Sequence, residues 1–166
     1  MLEAAREVSL QRVDSGFIPL IDGEPADSEM RGEPVTGSVS LVARMPAVRD
    51  WVNAQVRKAR ETDDVVVDGR DIGTVVFPNA QLKVYLVADA EERARRRLRE
   101  RLYREPTADE IVAETAAILR RDNMDATQSA MARDAVRIDT TRLTEKEQVE
   151  RIVEMARGIA EKIREA

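Results

Sequence analysis

The chain has 166 residues, enough for one domain with a real core, and carries a formal net charge of −5 with 36% charged residues. Cysteine and histidine are both absent, which excludes disulfides, thiolate nucleophiles, the usual zinc sites and histidine bases. The acidic balance argues against general nucleic-acid binding but leaves room for a basic cleft that holds a small anion.

No apolar run approaches membrane-spanning length, and no signal-like hydrophobic core opens the chain. A soluble acidic α/β protein with no membrane partner, in a reducing cytoplasmic setting, is the expectation. Aromatic residues make up only 3% of the chain, so Val, Ile, Leu, Met and Ala must build the core.

In chain order, residues 1–12 read as a short helix or the tail of one, with Leu2, Ala5 and Val8 at helical spacing. Residues 17–21, Phe-Ile-Pro-Leu-Ile, read as a strand, and the internal proline makes it either an edge strand or a strand split in two. Asp22-Gly23 ends it as a turn, and a polar stretch with Pro25, Gly32 and Pro34 follows. A helical pattern over about residues 37–44 is broken at Met45-Pro46. The proline suits the first turn of the next helix, whose apolar face is Val48, Trp51, Val52 and Val56.

Val65-Val66-Val67 reads as a fully buried strand of a parallel sheet. Residues 82–87 form a second strand and residues 135–139 a weaker third. Two helices are predicted between them. The first, over about residues 91–104, has Ala94, Leu98 and Leu102 four apart. The second starts behind Pro106 with the capping-box pair Thr107 and Glu110, and turns Ile111, Thr115, Ile118 and Leu119 inward. A final helix repeats the box in Thr144 and Glu147, and its apolar face runs from Val149 through Ile152, Val153, Ala156, Ile159 and Ala160 to Ile163. This order of strands and helices predicts an α/β layer arrangement.

Three clusters could carry chemistry. The turn Asp68-Gly69-Arg70-Asp71 sits where ligands gather, beyond the carboxyl end of a predicted strand. A guanidinium offers a rigid fork for phosphate oxygens, and neighbouring carboxylates can orient it or bind a ribose hydroxyl or base amino group. The bland reading is a charged turn with a local ion pair.

Arg93, Arg95, Arg96, Arg97, Arg99, Arg101 and Arg104 then place seven guanidinium groups within 12 residues. Like charges four apart, such as Arg93 and Arg97, cost a few tenths of a kcal/mol each. Either a bound polyphosphate or an acidic patch around Glu110 and Glu114 offsets that repulsion. The third cluster, Arg120-Arg121-Asp122-Asn123-Met124-Asp125, lies at a helix end, where arginines suit both the dipole and an incoming anion. Arginines and carboxylates without histidine fit phosphoryl transfer, which needs positioning and charge stabilisation more than a covalent nucleophile.

The segments IDGEPADSEMRGEPVTGSVSLVARMPAVRDWV, VVVDGRDIGTVVFPNAQLKVYLVADAEERARRR, ILRRDNMD and AVRIDTTRLT resemble the bacterial cytidylate kinases, P-loop nucleoside-monophosphate kinases, and follow the family's order from about Ile18 onward. The resemblance implies a parallel-sheet P-loop kinase-like fold with a helical lid and a small monophosphate-binding region. Residues 1–64 would hold an N-terminal helix and that small region, and 65–90 the core strands and substrate loop. Residues 91–125 would form the mobile lid, and 126–166 a core strand and the C-terminal helix.

The resemblance also implies transfer of a phosphoryl group from ATP, with Mg²⁺, to CMP or dCMP. Ser40, Arg49 and Asp71 match residues that recognise the cytosine ring. Arg70 and Arg121 match phosphate-holding, catalytic arginines, and Asp125 matches a residue that binds the sugar hydroxyls. Asp68 belongs to the same substrate turn, and Arg93 and Arg97 are the lid arginines expected against ATP.

Two departures accompany the resemblance. The family's opening strand, its G-x-x-G-x-G-K-[ST] loop and the following helix have no counterpart here, so an N-terminally incomplete fold is expected. A partner or self-association would then cover the sheet. After Asp125, Gln128 stands where the family has a further phosphate-binding arginine. An inactive CMP-binding relative and a ligand-free interaction domain are the alternative readings.

Overall fold

The computed structural model describes residues 8–13, 16–26, 35, 38, 41–42, 45–61, 64–125 and 129–165, the side chains of 59 and 125 excepted. The chain divides into two compact units, Met1–Val67 and Asp68–Ala166.

The first unit contains an antiparallel sheet of β1 (Val8–Val13), β2 (Gly16–Ile21) and β3 (Glu24–Pro25), in that order. β1 pairs with β2 from Val8↔Ile21 to Val13↔Gly16. The helix expected over residues 1–12 is therefore corrected where the structure describes it, because residues 8–13 are extended. They pair with β2 along their whole length, and that pairing outweighs the helical spacing of three apolar residues.

Asp22 and Gly23 both have positive φ, 51° and 85°, and join Ile21↔Glu24 as a two-residue hairpin. This matches the preference of Asp-Gly for the turn whose twist suits antiparallel strands. β2 is a continuous middle strand, neither the edge strand nor the split strand that Pro19 suggested. β3 reaches only Leu20 and Ile21, and Pro19 contributes its carbonyl, which accepts from Ala26 N at 3.3 Å.

The described residues Val35, Ser38, Leu41 and Val42 are helical. Helix α1 (Pro46–Lys58) begins at the proline as expected, with Val48, Trp51 and Val56 half-buried and Val52 exposed. The buried strand predicted at Val65–Val67 does not form. These residues are irregular, and Val66 is fully exposed. Three β-branched residues have high strand propensity, but a strand needs hydrogen-bonding neighbours, and none is paired with this segment among the described residues.

The second unit opens with the turn 68–71 and a π-helical turn, Ile72–Val76. Strand β4 (Val84–Val87), helix α2 (Ala90–Leu102), helix α3 (Ala108–Asp125), strand β5 (Val136–Asp139) and helix α4 (Glu145–Glu165) follow. β4 and β5 are parallel, Val84↔Val136 through Val87↔Asp139, so α2 and α3 form the crossover that a parallel pair requires. The expected α/β class is borne out.

Both capping boxes are made. Thr107 N donates to Glu110 Oε2 at 2.8 Å, and Glu110 N donates to Thr107 Oγ1 at 3.3 Å. Thr144 N donates to Glu147 Oε2 at 2.7 Å, with the reciprocal bond at 3.3 Å. α2 ends at Leu102, two residues earlier than the spacing suggested, because Tyr103 adopts the left-handed conformation (φ 54°).

Ala94, Leu98, Ile111 and Ile118 form the core between α2 and α3, with Ala90 and Leu102 packed against it. Leu119 was expected inside but is half exposed, since the turn that buries Ile111 and Ile118 carries it off that stripe. On α4, Ile152 and Ile159 are half-buried, while Val149, Val153 and Ile163 are exposed.

Replacing Leu98 by Ala should lower unfolding stability by about 2–5 kcal/mol, the range for emptying a buried leucine site. Val149→Ala, on an exposed position, should stay within about 0.5 kcal/mol. Urea unfolding of the two variants checks the contrast.

Candidate functional site

The site is built by α2 and α3 where they lie against the turn 68–71. Residues four apart share a helix face, which puts Arg93 and Arg97 together on one side of the buried Ala94 and Leu98. On α3, Arg121 and Asp122 follow one turn after the buried Ile118. Arg70, Arg93, Arg96, Arg97, Arg121, Asp122 and Ile118 line one cavity of about 300 Å³, large enough for several phosphate groups. Among the described residues, five guanidinium groups and the Asp122 carboxylate line it.

That carboxylate is tightly held. Arg93 Nη1 donates to Asp122 Oδ1 at 3.2 Å, and Nη2 donates to Oδ2 at 2.5 Å, the fork-on-fork geometry of a strong charged pair. The bond to Arg93 holds the Asp122 carboxyl below its ordinary range; burial opposes it, and the charges of Arg93, Arg70 and Arg97 add to the lowering. Arg93 is raised in turn, chiefly by the same bond. Its Nε is buried and has no hydrogen-bond partner among the described residues.

The remaining cavity arginines differ in their commitments. Arg96 Nε donates to Glu92 Oε1 at 3.0 Å, and its Nη2 donates to the carbonyls of Thr140 (2.7 Å), Thr141 (3.3 Å) and Leu143 (3.3 Å). It ties α2 to the segment leaving β5. Arg97 stands 3.8 Å from Glu114.

Outside the cavity the arginine row is answered by local carboxylates. Arg95 meets Glu91 at 3.0 Å, Arg99 meets Glu105 at 2.9 Å, Arg101 meets Glu114 at 3.2 Å and Arg104 meets Glu110 at 2.6 Å. The row therefore has two faces on one helix, a solvated, ion-paired one and one that faces the cavity.

The turn 68–71 owes its shape to two features. A Cβ on Gly69 would lie 2.6 Å from Ile72 Cγ1 and 2.8 Å from Cδ1, so only glycine lets the chain fold this closely over Ile72. The Asp71 carbonyl accepts from the N–H groups of Thr74 (3.3 Å), Val75 (2.8 Å) and Val76 (3.3 Å), and Phe77 N donates to the Ile72 carbonyl at 2.7 Å. This wide turn, a form frequent at functional sites, fixes the backbone directly after Arg70.

Of the residues selected from sequence, Arg70, Arg93, Arg97 and Arg121 meet in the cavity. Asp68 is exposed and Asp71 half-buried on the adjoining turn, neither lining it. Arg49 lies half-buried on α1 in the first unit. Ser40 and Gln128 lie outside the described residues, as does the side chain of Asp125, whose backbone ends α3. Arg96 and Asp122 were not selected as site residues. Asp122 follows Arg121 directly, and a carboxylate among arginines is a signal, but its partner lies 29 positions away.

A parallel β-α-α-β unit that gathers guanidinium groups into one cavity places the chain among α/β proteins. The family model described as Cytidylate kinase matches residues 1–158, and the chain belongs to the cytidylate kinase family. It is 45% identical over 161 residues to a cytidylate kinase of Geobacillus kaustophilus (strain HTA426), an alignment covering 93% of this chain and 71% of the relative. A cytidylate kinase of Geobacillus sp. (strain WCH70) is 40% identical over 152 residues, 89% of this chain and 67% of that protein. For one of Rhodococcus jostii (strain RHA1) the values are 46% over 129 residues, 75% and 56%. The chain thus spans between about half and three quarters of the length of these relatives.

Glu110 gives the clearest pH dependence. The Arg104 side chain, with the Thr107 N–H, lowers its pKa to about 2, against about 4.3 for an unfolded glutamate. A depressed acid stabilises the fold fully above the unfolded value and loses that contribution as pH falls through the folded one. Melting temperature should therefore fall between about pH 4 and pH 2, and Glu110→Gln should remove some of that slope. An unchanged slope would contradict the assignment.

Proposed function

We propose that this protein transfers the γ-phosphoryl group of ATP to CMP or dCMP, giving ADP and CDP or dCDP. The convergence of Arg70, Arg93, Arg97 and Arg121 on one cavity carries the reading, because these four were selected separately, two as substrate-phosphate residues and two as ATP residues. In phosphoryl transfer the reacting group spreads negative charge over its equatorial oxygens, and fixed cations stabilise that charge without reorganising. Arg70 and Arg121 hold the monophosphate and the transferred group, and Arg93 and Arg97 meet the ATP phosphates. Asp71, with Ser40 and Arg49, reads the cytosine ring; Asp125 accepts from the sugar hydroxyls, and Asp68 helps hold the substrate turn.

Mg²⁺ supplies charge neutralisation on the β- and γ-phosphates when the nucleotide carries it. No cluster of three or more acidic, histidine or cysteine side chains that could hold an ion occurs among the described residues. Asp122, the carboxylate that lines the cavity among the described residues, is committed to Arg93. The described residues do not form a resident metal site. The same residues include no helix long and apolar enough to cross a membrane.

Calorimetric titration with CMP, UMP and ATP, followed by a coupled kinase assay on the same sample, tests the proposal. Binding of CMP with CDP formation is expected. Binding of CMP without turnover would favour an inactive nucleotide-binding relative, and the absence of both would overturn the reading.

Arg70→Ala and Arg121→Ala should each weaken CMP about tenfold or more while leaving cytidine nearly unchanged, since charge-assisted bonds to phosphate exist only when phosphate is present. Cytidine losing affinity in equal proportion would mean that the arginines support the fold. Asp71→Ala should weaken CMP more than ATP, by removing an acceptor for the cytosine amino group; equal weakening would sink that role.

A further inference from the structure

The cavity contains its own anion. Asp122 presents two coplanar oxygens to the two terminal nitrogens of Arg93, the arrangement a phosphate would adopt on the same fork. Both partners are partly exposed, at 36% for the Arg93 side chain and 44% for Asp122, so the pair can open without unpacking the core.

A second observation points to another state of Arg93. Its Nε is a buried donor without an acceptor among the described residues, and leaving a charged donor unmet is costly enough to call for an explanation. The guanidinium has five donors, and the Asp122-bound state leaves Nε unused. A side chain released from Asp122 could offer Nε and one terminal nitrogen together to an anion in the cavity.

We propose that the Arg93–Asp122 pair is an autoinhibitory contact: Asp122 occupies the fork of Arg93, and a polyphosphate displaces it. Asp122 is then a positioning residue, acting on the ligand through Arg93. The inference rests on the reading of the cavity as a phosphate site and adds selectivity to it. A single weak anion competes poorly with a bidentate carboxylate, whereas a polyphosphate reaching Arg97 and Arg121 as well compensates for opening the pair. The cavity would therefore discriminate by charge and length before any base is read. A ligand binding equally to the open and closed states would shift nothing, so the preference lies in how much more the open fork offers.

Asp122→Asn, Arg93→Met and the double variant of the full chain test this, with inorganic tripolyphosphate and orthophosphate titrated by calorimetry at fixed salt. Circular dichroism and melting temperature report the fold. Asp122→Asn should bind tripolyphosphate roughly tenfold more tightly, the scale of one charge-assisted hydrogen bond. The gain should largely vanish in the Arg93→Met background, and orthophosphate should gain relatively more than tripolyphosphate, because the barrier against weak anions is gone.

Three results would overturn the proposal. Unchanged or weaker tripolyphosphate binding by folded Asp122→Asn would show that the carboxylate does not compete. An equal gain with Arg93→Met would show that it acts by charge alone. Absence of tripolyphosphate binding in both the parent and Asp122→Asn proteins would remove the competition altogether. Failure of the kinase reading is distinguished by the CMP titrations: normal CMP dependence on Arg70 and Arg121, with no effect at Asp122, removes only the autoinhibitory contact.

Discussion

The close packing of α2 on α3 is the constraint on which the site depends. Ala94 has no exposed surface at all, and Leu98, Ile111 and Ile118 complete the strip between the helices. At Ala94 a methyl group is the whole side chain, so the helix axes approach closely, and any larger residue would drive them apart. The cations of one helix consequently stand over the last turns of the other. Arg93 and Arg97 are bound to the same turns as Ala94 and Leu98, and Asp122 to the turn after Ile118. Apolar burial positions the charges, and the charges could not gather by themselves.

Gathering them has an electrostatic cost that the rest of the helix pair offsets. Guanidinium groups cannot discharge by losing a proton near neutral pH. Carboxylates placed nearby are the available compensation, and they are distributed by face. Glu91, Glu105, Glu110 and Glu114 answer the outward arginines at ordinary ion-pair distances, while Asp122 lines the cavity. Exposed pairs of this kind contribute little stability each. Their effect is to neutralise the outward cations locally, which concentrates the positive field in the cavity, where water and salt screen it less.

What was legible in the sequence follows the range of the interaction that decides each feature. The capping boxes at Thr107 and Thr144 were read correctly because three residues contain the whole interaction. Asp22-Gly23 was read as a turn, and its two positive φ angles carry it further, into a hairpin. Strand propensity at Val65–Val67 was misleading, because it reports fitness for a sheet surface and not the presence of a neighbour. The strand at 8–13 failed in the other direction: three apolar residues at helical spacing counted for less than a partner strand three residues further along. The arginines of the site were visible as residue types. The pairing of Arg93 with Asp122 was not, since they lie 29 positions apart on successive helices and only the tertiary packing makes them neighbours.

Lining a cavity and serving it are different properties, and Arg96 shows how to separate them. Its side chain faces the same space as Arg93 and Arg97, yet its Nε is engaged by Glu92 and its Nη2 is shared among three carbonyls that follow β5. Those carbonyls belong to a segment anchored to β4, where Thr140 donates to the Val87 carbonyl from both its amide (2.8 Å) and its hydroxyl (3.0 Å). Moving Arg96 toward a ligand would strand several backbone acceptors near a buried threonine. Moving Arg93 would break one partly exposed ion pair and free an idle donor. The first arginine is therefore fixed within the sheet-to-helix join, and the second is the one whose energetics allow it to respond to a ligand.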